Sequence, residues 1–421
     1  NGSNSNVLFD AVRGATKELI SNSTNSESTE ATSITSFDSN GFSVGSNGGV
    51  NDGSGSYVAW NWDAGETDSA TYTVKVVSDS GNKYRFNDFG TSAVTLDLAE
   101  GGTYIFNMDD SSNATHPFSI GTAANGTVYT SGITYFLDGV SKTYSQYTSG
   151  FAAASTRRLH ITVPASAPVL YYWCSVHSGM GGQINTNSTL GSSNFDGTIQ
   201  SVVKANATAG FSIITYTGTG STDTVGHGLG VAPDVMITKR RDGSGEWTIY
   251  HKDLDHASST SHRVIRFNTL YQTGSSHLYY GNDPTSTVQH QADYGDLNQS
   301  SETYVSYNFS GVSGYSKFGK YTGNGSSDGT FVFTGFRPSF VITRGLHGTS
   351  WYTYDNKRNT FNVVDKELNP NNGQSEATFT TMDFLSNGFK LRTSNDAFNY
   401  NNYTYIYIAF AESPFKNARA R

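Results

Sequence analysis

Apolar and polar positions alternate with a period of two in short runs bounded by Gly, Asn, Ser and Thr. Examples are Tyr72-Thr-Val-Lys-Val-Val77, Arg158-Leu-His-Ile-Thr-Val163, Tyr304-Val-Ser-Tyr-Asn-Phe309 and Tyr405-Ile-Tyr-Ile-Ala-Phe410. That period sends successive side chains to opposite faces of a strand, so each run reads as a β-strand buried on one face. Helical spacing is almost absent, and the steps Asn40-Gly41 and Asn387-Gly388 read as tight turns, because both residue types tolerate positive φ. The pattern predicts an all-β, antiparallel protein.

The runs recur. Tyr216-Thr-Gly-Thr-Gly-Ser-Thr-Asp223, Pro233 and Ile237-Thr238 return without a gap as Tyr321-Thr-Gly-Asn-Gly-Ser-Ser-Asp328, Pro338 and Ile342-Thr343, and Trp247 returns as Trp351. The far end recurs too. Ser386-Asn-Gly-Phe389 before Tyr405–Phe410 matches Ser39-Asn-Gly-Phe42 before Tyr57-Val-Ala-Trp-Asn-Trp62, and Tyr304–Phe309 supplies the middle closing strand. Three copies of one unit follow, each expected to be a small antiparallel, jelly-roll-like β-sandwich. The expected organisation is the C-terminal half of a repeat at 1–68, an unrelated inserted domain at 69–188, a Ser/Thr/Asn-rich linker at 189–210, and full repeats at 211–312 and 313–421.

Composition sharpens this picture. The 421 residues carry a net charge of −8, with only 15% charged and 13% aromatic side chains, too much ring area for a disordered chain. Acidic balance and dispersed Lys and Arg argue against nucleic acid as a partner, and no run is apolar and long enough to span a membrane. One cysteine excludes an internal disulfide framework. The chain opens Asn1-Gly2-Ser3 without Met, which suggests a cleaved or longer precursor.

Chemistry concentrates in the insert. Tyr171-Tyr-Trp-Cys174-Ser-Val-His177-Ser-Gly-Met180 places thiol, imidazole and thioether on one loop after an apolar strand. Those are three of the four donors of a blue-copper site, in which thiolate and two imidazoles form a trigonal set and a long Met bond completes it. The second imidazole would come from His116 or, less well, from His160, which alternation places on one face of a strand. Weaker candidates are the Gly-rich loop around His227 and the acidic pairs Asp109/Asp110 and Asp253/Asp255, all read as turns. Neither a Ser/His/Asp arrangement nor a flanking carboxylate pair stands out, so no enzyme is expected. Any one repeat Trp or Tyr is expected in a core, with an exposed glycan platform as the other reading.

On these residues, and on the stretch from Thr71 through the turn Ala99-Glu-Gly-Gly-Thr103 to His116, the insert resembles a cupredoxin, a Greek-key sandwich whose amicyanin-like members carry a similar short ligand loop. The resemblance implies copper ligands His116, Cys174, His177 and Met180. Pro117 departs from the family, where a backbone N–H at that place donates to the sulfur.

The repeats also resemble a known group. Tyr-Thr-Gly-x-Gly at 216 and 321, Gly226-His-Gly-Leu-Gly-Val-Ala-Pro233, Gly314-Tyr-Ser-Lys-Phe-Gly319, Gly335-Phe-Arg-Pro338, the closing Tyr405–Glu412 with Pro414-Phe-Lys416, and Phe9-Asp-Ala-Val-Arg-Gly-Ala-Thr-Lys17 are similar to repeats of large virion proteins of marine tailed bacteriophages. The resemblance implies a structural fibre, spike or appendage component on the virion surface. Its expected partners are copies of itself, as a homo-oligomer that could be a trimer, other virion proteins, and a host-surface glycan or receptor. Two other readings stand beside it: a copper-binding redox or scavenging protein, and a lectin-like adhesin.

Overall fold

The computed structural model describes residues 5–65, 69–254, 264–270 and 281–412. The chain is almost entirely β among them, with helices limited to Gly48–Asn51, Tyr144–Gly150, Asp396–Asn399 and one 3-10 turn at Ser111–Asn113. It divides into two compact units, Asn1–Ala64 with Ala205–Arg421, and Gly65–Lys204.

In the larger unit, two segments share one sheet plan. The opening strand Phe211–Thr217, closing strand Thr303–Phe309, inner strand Val235–Arg240 and outer strand Thr248–His251 lie side by side in that order. Ser316–Thr322, Thr404–Phe410, Phe340–Gly345 and Tyr352–Asp355 lie in the same order. Registers agree as well. Phe211↔Phe309 and Val235↔Phe309 correspond to Ser316↔Phe410 and Phe340↔Phe410, and Val235↔His251 to Phe340↔Asp355. A one-residue slip would turn each buried face outward, so the shared register keeps equivalent positions of the two segments on the same face. In the third segment a second sheet, Phe331–Phe333, Gly388–Leu391, Ala377–Leu385 and Val364–Glu367, closes a sandwich over Val332, Met382, Phe384, Phe389 and Tyr407.

The first segment supplies Val7–Asp10 as its outer strand, paired with Gly14–Ile20, and the hairpin Ile34–Asp38 with Gly41–Val44. Both Asn-Gly steps form two-residue hairpins, but positive φ is not the reason: none of Asn40, Gly41, Asn387 and Gly388 has it. Gly388 is required by contact, since a Cβ there would lie 2.1 Å from the Val332 carbonyl oxygen.

One sequence expectation fails here. Tyr57–Trp62 forms no strand. Closing strands in the other segments are flanked by an opening and an inner strand, and the described residues 5–64 contain no counterpart of either.

The three segments close into a ring by repeating the same contacts. Side-chain carbonyls of Asn22, Asn268 and Asn371 accept the backbone N–H of Asn6, Trp247 and Trp351, at 3.2, 3.1 and 2.9 Å. The same three side chains then donate onward: Trp247 Nε1 to the Ile20 carbonyl, Trp351 Nε1 to that of Arg266, and Asn6 Nδ2 to that of Asn369. Each acceptor lies two residues before the matching Asn, so the bonds run second to first, third to second and first to third. The end residues of the three closing segments, Trp62, Phe309 and Phe410, meet at the centre with ring centroids 6.0, 5.7 and 5.8 Å apart. Trp247 and Trp351 are fully buried in these joints, so no exposed glycan platform rests on them.

In the smaller unit a six-stranded sheet is built on Ser69–Ser78, Thr103–Asn107 and Arg157–Thr162. It accompanies a four-stranded sheet ordered Phe118–Gly121, Leu170–Cys174, Gly182–Thr186, Leu96–Leu98. Their shared core includes Tyr72, Phe86, Phe106, Phe118, Tyr172 and Ile184. The linker expected at 189–210 is not one. Ser192–Asn194 pairs with Ser201–Asn206, and Phe195 enters the core against Tyr72, Phe86 and Phe89. Backbone pairing needs no apolar composition, and a single Phe anchors the stretch.

Candidate metal centre

Cys174 ends the strand Leu170–Cys174, which pairs with Phe118–Gly121 in the register Phe118↔Cys174. That pairing brings the turn before Phe118, and with it His116, beside the sulfur. The Asn113 carbonyl accepts the His116 N–H, and Tyr84 Oη donates to the His116 carbonyl at 2.8 Å. His177 follows on the loop after the strand. The chain then folds back through Gly181, where a Cβ would lie 1.6 Å from the Tyr172 carbonyl oxygen, and Met180 is buried at the loop's end.

Cys174 Sγ stands 3.7 Å from His116 Nδ1 and 3.6 Å from His177 Nδ1, and the three donor atoms lie within 4.8 Å of one another. One ion bonded to sulfur at about 2.3 Å and to nitrogen at about 2.0 Å, with angles between tetrahedral and trigonal, separates those donors by roughly 3.5–3.7 Å. The spacing fits a single shared ion. Cys174 and His116 are buried and His177 is exposed, so the site has a protected floor and one edge open to solvent. Burial, and the neighbouring His177, lower the pKa of His116 and favour the neutral ring that can donate to a metal.

Of the sequence candidates, the structure brings together His116, Cys174 and His177 and buries Met180 in the adjoining core. His160 lies apart, opposite Thr134 and Ile105 in the six-stranded sheet, with its ring on Phe136. His227 is buried in a turn, Nδ1 accepting from the Leu229 N–H. Asp109 pairs with Arg158 and accepts the Arg157 N–H, and Asp110 caps the 3-10 turn at Ser112. Asp253 donates its N–H to His251, and Asp255 lies outside the described residues. The Pro117 carbonyl accepts the Ser175 N–H, so the backbone beside the sulfur contributes an acceptor on one strand and a donor on the next. Sequence reading missed Tyr84, whose hydroxyl fixes the His116 backbone; nothing local in Lys83-Tyr84-Arg85 signals that role.

A family described as a domain of unknown function, DUF7483, matches residues 1–92 and 185–414. The chain belongs to the DUF7483 family. No curated protein and no solved structure matches the chain significantly. The two matched stretches bracket His116, Cys174, His177 and Met180 without containing them, so the candidate donor cluster lies in residues that the DUF7483 pattern skips.

Proposed function

We propose that the Gly65–Lys204 unit is a cupredoxin-like copper-binding module in which His116 Nδ1, Cys174 Sγ and His177 Nδ1 would hold the ion, with the buried Met180 thioether as the fourth donor. The observation that carries this reading is the pair of S···N separations, 3.7 and 3.6 Å, on a buried thiol. Soft thiolate and thioether with two imidazoles select copper over hard cations. A bound copper ion supplies one-electron exchange. The protein's part is to hold the two imidazoles at fixed angles, keep water from the sulfur by burial, and leave the His177 edge open. Addition of Cu(II) to the purified chain is expected to give an intense thiolate-to-copper absorption band toward the red, lost in Cys174→Ser. A colourless protein that retains no copper after desalting would overturn the proposal.

A second reading concerns the larger unit, and the closed ring favours it. We infer that the chain is a structural component of a tailed-phage virion, a fibre, spike or appendage element in which the ring is a building block and the copper module an attachment. The ring's joints combine hydrogen bonds between uncharged groups and aromatic contacts with buried or half-buried charged groups such as Lys239, Arg344 and the Arg241–Glu27 pair, all of which salt screens less than exposed pairs, as suits a particle exposed to seawater-like ionic strength. The resemblance of the repeats supplies the phage context. Mass spectrometry of purified virions tests it: the chain should appear at a stoichiometry that is a small multiple of a virion symmetry number, and its absence from virions would end this reading.

A further inference from the structure

The donors come from two stretches of chain, the turn at His116 and the loop from Cys174 to Met180, and a single residue elsewhere is bonded to both. Tyr84 lies on the strand Asn82–Phe86, which pairs with Ser69–Ser78 and forms the edge of the six-stranded sheet. Along that edge its backbone N–H donates to the Met180 carbonyl at 2.9 Å, and its carbonyl accepts from the Ala93 N–H at 2.8 Å. The ligand loop therefore covers a sheet edge that would otherwise stand open. The Tyr84 side chain is fully buried in the core, with its ring edge-on to Phe118 at 5.1 Å between centroids, and its hydroxyl donates to the His116 carbonyl at 2.8 Å. One position earlier, Lys83 Nζ donates to the Gly179 carbonyl, next to Met180.

These bonds leave the donors little freedom. The His116 N–H is taken by the Asn113 carbonyl and the His116 carbonyl by Tyr84, while the next carbonyl, of Pro117, accepts the Ser175 N–H. A ring on a backbone held this way moves only about its own side-chain torsions. The distance from His116 Nδ1 to the sulfur, 3.7 Å, is then fixed by the protein rather than by whatever the site holds.

We propose that the strand Asn82–Phe86 is the clamp of the donor set and that Tyr84 is its positioning residue: the hydroxyl places His116 against the sulfur, and the amide places Met180. The inference rests on the copper reading above and deepens it. Tyr84 acts through His116 and Met180. Without its hydroxyl a buried carbonyl loses its donor, and the turn that carries His116 shifts to find another.

The test is Tyr84→Phe in the full-length protein, titrated with Cu(II) against a competing chelator. The ring and its packing stay, and only the hydroxyl goes. Copper affinity is expected to fall about tenfold or more, and the thiolate-to-copper band to change position and relative intensity, a signature of altered donor geometry that lost stability alone does not produce. Tyr72→Phe is the control. It removes a hydroxyl from the same core, one that donates to the Ser193 carbonyl at 2.9 Å, and should keep wild-type affinity and spectrum. Lys83→Ala, which truncates a half-buried side chain of the same strand, decides the matter if Tyr84→Phe does not fold: it should weaken copper binding severalfold, and unchanged binding overturns the clamp. Wild-type affinity and spectrum in Tyr84→Phe, or the same changes in Tyr72→Phe, overturn it as well while leaving the copper reading intact. A wild-type protein that takes up no copper overturns both together.

Discussion

The second and third segments of the ring carry the same ladder around different interiors. In the third, the face between the sheets holds Val332, Met382, Phe384, Phe389, Tyr407 and Ala409. In the second, Ser306 and Asn308 stand at the places of Tyr407 and Ala409, and with Ser212, Thr238 and Gln289 they form a fully buried chain of side-chain hydrogen bonds. Gln289 and Gln291 keep amide atoms without partners in that interior. What stays common is register and the joints: the Asn that accepts from its Trp, the Trp that reaches the neighbour, the aromatic at the centre. Interiors can diverge because each segment's core faces only its own sheets, whereas a joint residue must satisfy a neighbour as well.

The largest expected effect tests the joints. Trp351→Ala and Trp247→Ala each remove a fully buried indole and its bond to the next segment, and each should cost about 3–5 kcal/mol in denaturant unfolding. If one is tolerated and the other is not, the two joints are unequal and the comparison is wrong.

Next is pH. The outer strands end on Asp10, His251 and Asp355 at matching positions. His251 is buried against the Tyr407 carbonyl, with Asp253, Asp234 and Lys252 nearby, and burial lowers its pKa to about 4. An unfolded chain takes up that proton near 6.5, so stability is full above pH 6.5 and falls as pH drops toward 4, by roughly 3 kcal/mol in all. His251→Asn should flatten this slope. Burial alone would raise the Asp10 carboxyl, but Arg13 and Tyr307 hold it below its ordinary value, so its contribution is present above about pH 4 and is lost only in stronger acid. Thermal melts between pH 7 and 3 separate the two groups.

A smaller change sharpens the contrast of interiors. Gln291→Leu removes unpartnered amide atoms and should be neutral or stabilising by about 1–2 kcal/mol, whereas Met382→Gln in the apolar interior should cost about 2–3 kcal/mol. The smallest effect belongs to the surface: Lys357→Ala breaks a pair with Glu412 in which both side chains are mostly exposed, and should move stability by less than about 0.5 kcal/mol.

Much of this was readable in the residues. Alternation located the strands, the recurrence of Tyr-Thr-Gly placed two equivalent segments, and one loop with a distant His named the side chains that the structure brings together at His116, Cys174 and His177. Three things were not readable, for physical reasons. A strand needs neighbours, and no pattern within Tyr57–Trp62 reveals that no strand among the described residues pairs with it. Ser192–Asn194 looks like a linker because a ladder is made of backbone, which composition does not describe. Ring closure hides behind Asn6, which does with an amide what Trp247 and Trp351 do with an indole, so residue identity conceals the equivalence. The recurring Asn22, Asn268 and Asn371 are the signal in the residues that carries it.

The bond from Asn6 to Asn369 spans 363 residues of chain. During synthesis the first segment therefore leaves the ribosome long before its partner exists, and at ~5–20 residues per second it waits on the order of tens of seconds. In that interval Gly65–Lys204, whose six- and four-stranded sheets draw only on its own residues, has time to fold, while Trp60 and Trp62 stay uncovered until Phe309, Phe340 and Phe410 emerge. The aromatic end of the first segment is thus the part of this chain most in need of a chaperone, and the interval shortens only if translation does.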